Sequence, residues 1–283
     1  MKPWPVKISS HLASLAAASS GAAKVIGRQL QFNALENVNT PGFSLDPFNE
    51  QSYQPLPGLF HKYRQRALLT VSSTCAVHCR FCFRRHATLV TPDMNKVLSY
   101  LCSHPLVTEV VLSGGDPLTL SVATLTKLIN QLATLPQLTT LRVHSRVPVA
   151  DPELAYNFPW DECQKLKKVL VIHCNHPLEI SVSTTKLCRD LAAKGVKLYS
   201  QSVLLKGVND RSKILQRLFL QLDKIGVQPY YLHLLDRVQG ASHFEVSPLR
   251  TQRIHQALQQ LLPGYLIPKF VREEVKGKRY LGL

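Results

Sequence analysis

Residues 67–86 read ALLTVSSTCAVHCRFCFRRH, and the order of the parts decides the fold. The apolar and β-branched run 67–71 predicts a buried strand, and the chain then passes through three small polar residues into Cys75, Cys79 and Cys82. The spacing C-x3-C-x2-C lets one loop after a strand wrap three thiolates around a single metal cluster. Three protein ligands on a four-iron cluster leave one iron open to a small molecule with amino and carboxylate groups. A zinc ion is the alternative, and it would seek a fourth ligand such as His78 or His86.

Outward from this strand the same unit recurs. Strand-like runs at 109–112, 140–143, 168–172, 197–203 and 229–234 alternate with helix-period segments at 92–102, 121–135, 181–194, 212–225 and 248–261. Six parallel strands joined by helices predict an α/β fold, a partial (β/α)6 TIM-like barrel, because parallel neighbours need crossover connections. The second strand runs into SGGDPL, the third into HSRVP, the fourth into HCNHP and the sixth into LLDR. Polar residues thus gather at the C-terminal strand ends, where barrel enzymes carry their sites. Residues 1–60, with turn-rich stretches such as 37–42, read as an N-terminal extension; 61–271 form the barrel and 272–283 a short C-terminal segment.

Composition sets the outer limits. At 45% hydrophobic residues the 283-residue chain buries a real core, which excludes a disordered polypeptide. Lysine and arginine outnumber acids 34 to 18, a balance that suits anionic ligands or nucleic acid, but the charges are scattered and read equally as a solvated surface. Seven cysteines with no signal sequence argue against a secreted disulfide scaffold. The apolar stretch 12–26 is too short for a bilayer and is interrupted by Gly21 and Lys24, so a soluble cytoplasmic protein is expected, with no membrane partner.

CAVHCRFC resembles the cluster motif of the radical S-adenosylmethionine (SAM) superfamily, whose fold is a partial β/α barrel. Ser113, Gly114, Gly115 and Asp116 resemble its loop for the methionine amino group. CRFCFRRH, LSGGDPL, HSRVPV, HCNHPLEI, QSVLLKGVND and PYYLHLLDRVQGASHF together resemble the lysine 2,3-aminomutase family, over about residues 40–275. PGFSLDPFNEQ, PGLFHKY and the short C-terminus are most similar to the shorter bacterial branch that supplies β-lysine for modification of elongation factor P.

The resemblance implies an isomerase that moves the α-amino group of L-lysine to the β carbon. Its cofactors would be a 4Fe-4S cluster on Cys75, Cys79 and Cys82, S-adenosyl-L-methionine and pyridoxal 5'-phosphate, with an electron donor such as flavodoxin or ferredoxin. It sets the substrate carboxylate on Arg84, whose plainer reading is a surface arginine, and the side-chain ammonium between Asp236 and Glu273. Longer members usually carry aspartate at the Glu273 position. An acidic pair favours lysine over glutamate, with arginine still open. Read plainly, Asp236 is a turn cap and Glu273 pairs at the surface with Lys269 or Arg272.

Ser145, Arg146 and Gln201 match positions near the adenosyl ligand, with His173 and His176 further candidates for the same mouth. Arg66 matches a phosphate-holding arginine, although with Lys62, Tyr63 and Arg64 it reads equally as a solvated basic face. The family places its pyridoxal lysine seven residues beyond the second acid; here that position is Tyr280, so Lys278 is the first candidate and Lys276 the second. The alternatives are a radical SAM enzyme acting on RNA, for which no RNA-binding module is evident, and an iron-sulfur protein without pyridoxal phosphate.

Overall fold

A strand forms where the apolar run before the cysteines predicts one, and eight others join it in a single sheet. The computed structural model describes residues 4–282. Its strands are β1 (Leu59–Tyr63), β2 (Arg66–Ser72), β3 (Glu109–Gly114), β4 (Thr140–Ser145), β5 (Lys167–His173), β6 (Lys197–Val203), β7 (Gln228–His233), β8 (Lys269–Glu274) and β9 (Gly277–Tyr280). They lie side by side in chain order. β2 to β8 run parallel, while β1 returns antiparallel on β2 and β9 antiparallel on β8. Sequential parallel order arises when each connection crosses the same face and adds its strand to the same edge.

Two helices, α1 (Ser10–Ala17) and α2 (Ser20–Leu30), precede the sheet. The crossovers carry α3 (Met94–Cys102), α4 (Val122–Leu132), the short α5 (Val147–Ala150) and α6 (Pro152–Ala155), α7 (Val182–Ala193), α8 (Ser212–Lys224) and α9 (Pro248–Leu261). Ser121, Ser181 and Ser247 cap α4, α7 and α9, each hydroxyl accepting a first-turn amide that would otherwise lack a partner. The core lies between strands and helices: Leu69, Leu112, Leu141, Leu170 and Leu232 from the sheet pack in one cluster with Leu125, Leu187, Leu215 and Leu258 from the helices. A second cluster sets α1 and α2 on the cysteine loop, through Leu12, Ile26 and Leu30 against Val77.

All six expected strands and the α/β barrel they imply are present. β1, β8 and β9 come in addition, and they bring the barrel close to closure. Its edges β1 and β9 share no ladder. They are joined instead by side chains: Lys62 on β1 pairs with Glu273 on β8 (2.7 Å), and the Lys278 amide on β9 donates to the Tyr63 hydroxyl (2.9 Å). No helix among the described residues is long and apolar enough to cross a membrane.

Candidate active site

The C-terminal ends of the parallel strands and the β8–β9 hairpin surround a cavity of about 350 Å³. Apart from His176 and Lys276, every residue assigned above to the cluster, cofactors or substrate lines it, from Cys75 on the loop after β2 to Lys278 on β9.

Cys75, Cys79 and Cys82 are free, half-buried thiols on one loop. Burial pushes Cys82 up to about 12 and Cys75 higher still, with Asp116 and the neighbouring sulfurs adding to the effect. Such thiols ionise only when a cationic centre supplies the missing countercharge. Among the described residues no three His, Cys, Asp or Glu side chains are grouped to hold a single metal ion. The two imidazoles expected as the fourth ligand of a zinc site are engaged elsewhere: His78 Nδ1 lies 3.0 Å from the Pro5 carbonyl and His86 Nε2 3.0 Å from that of Gln239. Three thiols on one loop with neither imidazole as a fourth ligand are a donor set that fits an iron-sulfur cluster better than a zinc ion.

The loop is fastened from the N-terminal side. Arg80, fully buried between Cys79 and Cys82, places its guanidinium on both oxygens of Glu36 (2.9 and 2.6 Å), and Arg85 adds a third bond (2.6 Å). Burial raises the Glu36 pKa, and these bonds outweigh it and hold the group below its ordinary value. Glu36→Ala would leave two buried cations unpaired, and is expected to lower unfolding free energy by about 3–5 kcal/mol. A denaturant titration checks this, with lowered iron content after reconstitution as the companion result.

The glycines after β3 are required by close approach. A Cβ on Gly114, whose φ is +113°, would lie 2.6 Å from the Ser72 carbonyl, and one on Gly115 would overlap that of Thr74. Asp116 welds this loop to the next: its carboxylate accepts from the Ser145 hydroxyl (2.7 Å) and from the amides of Leu118, Arg146 and Val147. Burial still pushes it up to about 6, against those bonds. Arg146 turns towards the cysteines, donating to Cys79 Sγ (2.7 Å), Gln29 (2.8 Å) and Glu179 (3.2 Å). Gln201 and His173 face the cavity, whereas His176 caps the turn that follows it through the Leu178 amide.

Next to Ser113, Arg84 lies over the Phe83 ring and holds Glu50 through two bonds (3.1 and 2.8 Å). Asp236 follows β7, and its Oδ1 is buried without a partner. Burial, with Glu273 and Glu50 nearby, pushes its pKa up to about 7 against the pull of Lys278. Glu273 pairs with Lys62 (2.7 Å) and Lys278 (2.9 Å), not with Lys269 or Arg272. A two-residue turn sets Lys278 directly opposite Glu273 and leaves Lys276 exposed at the tip, outside the cavity. Arg66 stacks on Tyr63 at 3.9 Å; Lys62 and Tyr63 also face inward, and of that basic run only Arg64 is exposed. Burial keeps His144, His173 and His233 neutral, so that the wall they form can donate or accept without adding charge.

No protein-family model matches the chain. The L-lysine 2,3-aminomutase of Haemophilus influenzae is 43% identical to it over 255 residues, 87% of this chain and 75% of that protein. The chain belongs to the lysine 2,3-aminomutase family. The Escherichia coli protein of the same name is also 43% identical, over 254 residues and 74% of its length. The family's Clostridium subterminale member is longer, matching over 239 residues at 37% identity, 82% of this chain and 58% of that one. A radical SAM methyltransferase from Sphaerobacter thermophilus shares the fold, with TM-score 0.52 at 18% identity over 78% of this chain and 72% of that one. The lysine 2,3-aminomutases are isomerases, and the fold of this chain is that of a radical SAM enzyme.

Proposed function

We propose that this aminomutase moves the α-amino group of L-lysine to its β carbon, with the cluster on Cys75, Cys79 and Cys82, S-adenosylmethionine beside the loop 113–116, Ser145, Arg146 and Gln201, and pyridoxal phosphate on Lys278. When bound, these groups supply a carbon-centred radical and a temporary carrier for the migrating nitrogen. The protein does the rest by position. Arg84 holds the substrate carboxylate in its planar fork. Asp236 holds the side-chain ammonium. Arg66, with no carboxylate partner among the described residues, is placed for a phosphate group. The buried, unpartnered oxygen of Asp236 carries the reading, because a desolvated carboxylate at the cavity wall calls for a cation. The product would serve modification of elongation factor P in the cytoplasm, with reducing equivalents from a flavodoxin or ferredoxin.

Anaerobic reconstitution with iron, sulfide and pyridoxal phosphate, followed by S-adenosylmethionine, reductant and L-lysine, tests this directly. β-Lysine by mass spectrometry is the expected product; S-adenosylmethionine cleavage with no β-lysine would move the substrate to arginine, RNA or a protein-bound lysine.

A pH dependence follows from Asp236. Its folded value of about 7 lies above the ordinary carboxylate value, so the free protein holds a proton there that lysine binding must expel. Lysine affinity is expected to fall about tenfold per unit below about pH 7 and to level off above it. The same group favours the free fold at low pH, a contribution lost as pH rises through about 7. Equilibrium dialysis across this range without reductant measures the first effect. Asp236→Asn should flatten the profile and weaken binding by about 2–5 kcal/mol.

A further inference from the structure

Arg84 already holds a carboxylate of this chain. Glu50 sits in the turn Glu50–Tyr53 of the segment before β1, and its Oε2 and Oε1 accept from Arg84 Nε (3.1 Å) and Nη2 (2.8 Å). The remaining terminal nitrogen points to Ser113 Oγ at 3.4 Å. Glu50 therefore takes the two donors that an incoming carboxylate would use side-on.

The pair is asymmetric in a way that favours exchange. The Arg84 side chain is 7% exposed and lies over Phe83, with its carbon centre 4.8 Å from the ring centroid, so it stays in place when its partner leaves. Glu50 is 25% exposed and approaches from the solvent side. Its segment meets the barrel through two rings: the buried Phe48 lies edge-on to Phe83 at 5.1 Å, and Tyr53 covers the Lys62 ammonium at 5.4 Å. Asn49, just before Glu50, has φ +50°, the one positive value among described non-glycine residues. That left-handed residue turns the chain inward, and asparagine tolerates the conformation with little strain. The turn is held by Asp46, whose carboxylate accepts from the amides of Phe48 and Glu50.

We propose that Glu50 is a substrate-displaceable counter-ion: in the free enzyme it neutralises Arg84, and the carboxylate of an arriving amino acid takes its place and releases the segment 46–53 from the cavity wall. This rests on the reading of Arg84 as the carboxylate site. A buried arginine left unpaired between turnovers would be costly, and an internal carboxylate removes that cost while remaining replaceable. A ligand lacking a carboxylate leaves the Glu50–Arg84 pair intact, so only the amino acid moves the segment.

The test uses enzyme loaded with cluster, S-adenosylmethionine and pyridoxal phosphate but without reductant, dialysed against labelled L-lysine or its decarboxylated counterpart pentane-1,5-diamine. Glu50→Gln is expected to bind lysine about tenfold tighter, equivalent to about 1.4 kcal/mol, and the diamine within about twofold of the original enzyme. In the unaltered enzyme, amide hydrogen exchange over 46–53 should rise on adding lysine and not on adding the diamine. Lysine affinity unchanged or weaker in Glu50→Gln, or exchange insensitive to lysine, overturns the displacement. If Arg84→Met leaves lysine affinity unaltered, the carboxylate role of Arg84 itself has failed, and the displacement falls with it.

Discussion

Cys79→Ala is expected to abolish the visible absorbance of the reconstituted cluster and all turnover, including cleavage of S-adenosylmethionine to 5'-deoxyadenosine. The loop supplies three thiols and no fourth ligand to replace one: His78 and His86 are turned to backbone carbonyls. Two thiolates cannot hold the cluster and still present an open iron. The variant should nonetheless fold. Cys79 is only half-buried, and its neighbours Arg80 and Phe81 keep their anchors on Glu36 and Phe244. Iron analysis, circular dichroism and the cleavage assay together separate a lost cluster from a lost fold. Turnover retained in a folded, cluster-free variant would end the radical reading altogether.

The strands legible in the sequence are those with a run or an alternation of buried apolar residues closed by turn residues. β2 to β5 carry runs of buried residues, while β6 and β7 alternate buried with half-buried positions, and both patterns survive without knowledge of the neighbours. β8 and β9 are not legible because their sequences, KFVREE and GKRY, are charged over most of their length. Each is a strand only because the barrel edge offers a partner and because Glu273 and Lys278 satisfy one another across it. The same holds for the site. Cysteine spacing and the glycine loop are local signals, and both sets of residues line the cavity. Glu50 and Glu36 lie in segments that read as loops. Their partners, Arg84 and Arg80, are 34 and 44 positions away, a separation across which no local pattern operates. Only the buried cations on the cysteine loop hint that acids must come from elsewhere.

The hairpin places the two lysines differently, and the largest expected contrast follows from the proposal that Lys278 carries pyridoxal phosphate. Lys278→Ala is expected to reduce β-lysine formation by at least about three orders of magnitude, the scale of loss when a covalent catalytic group is removed, while Lys276→Ala stays close to the original enzyme. The geometry is specific. Lys278, on β9 directly opposite Glu273 (2.9 Å), points into the cavity and lies over Tyr231, whereas Lys276 sits in the two-residue turn at the exposed tip. Losing Lys278 leaves Glu273 its bond to Lys62, so stability should change by no more than about 1 kcal/mol and the effect on activity will not be a folding defect. Borohydride trapping followed by peptide mass spectrometry gives a readout independent of turnover. The pyridoxyl mass should appear on the β9 peptide of the original enzyme and of Lys276→Ala, and vanish in Lys278→Ala. Label persisting in Lys278→Ala would move the attachment to another lysine of the cavity, of which Lys62, 2.7 Å from the same carboxylate, is the one placed to receive it.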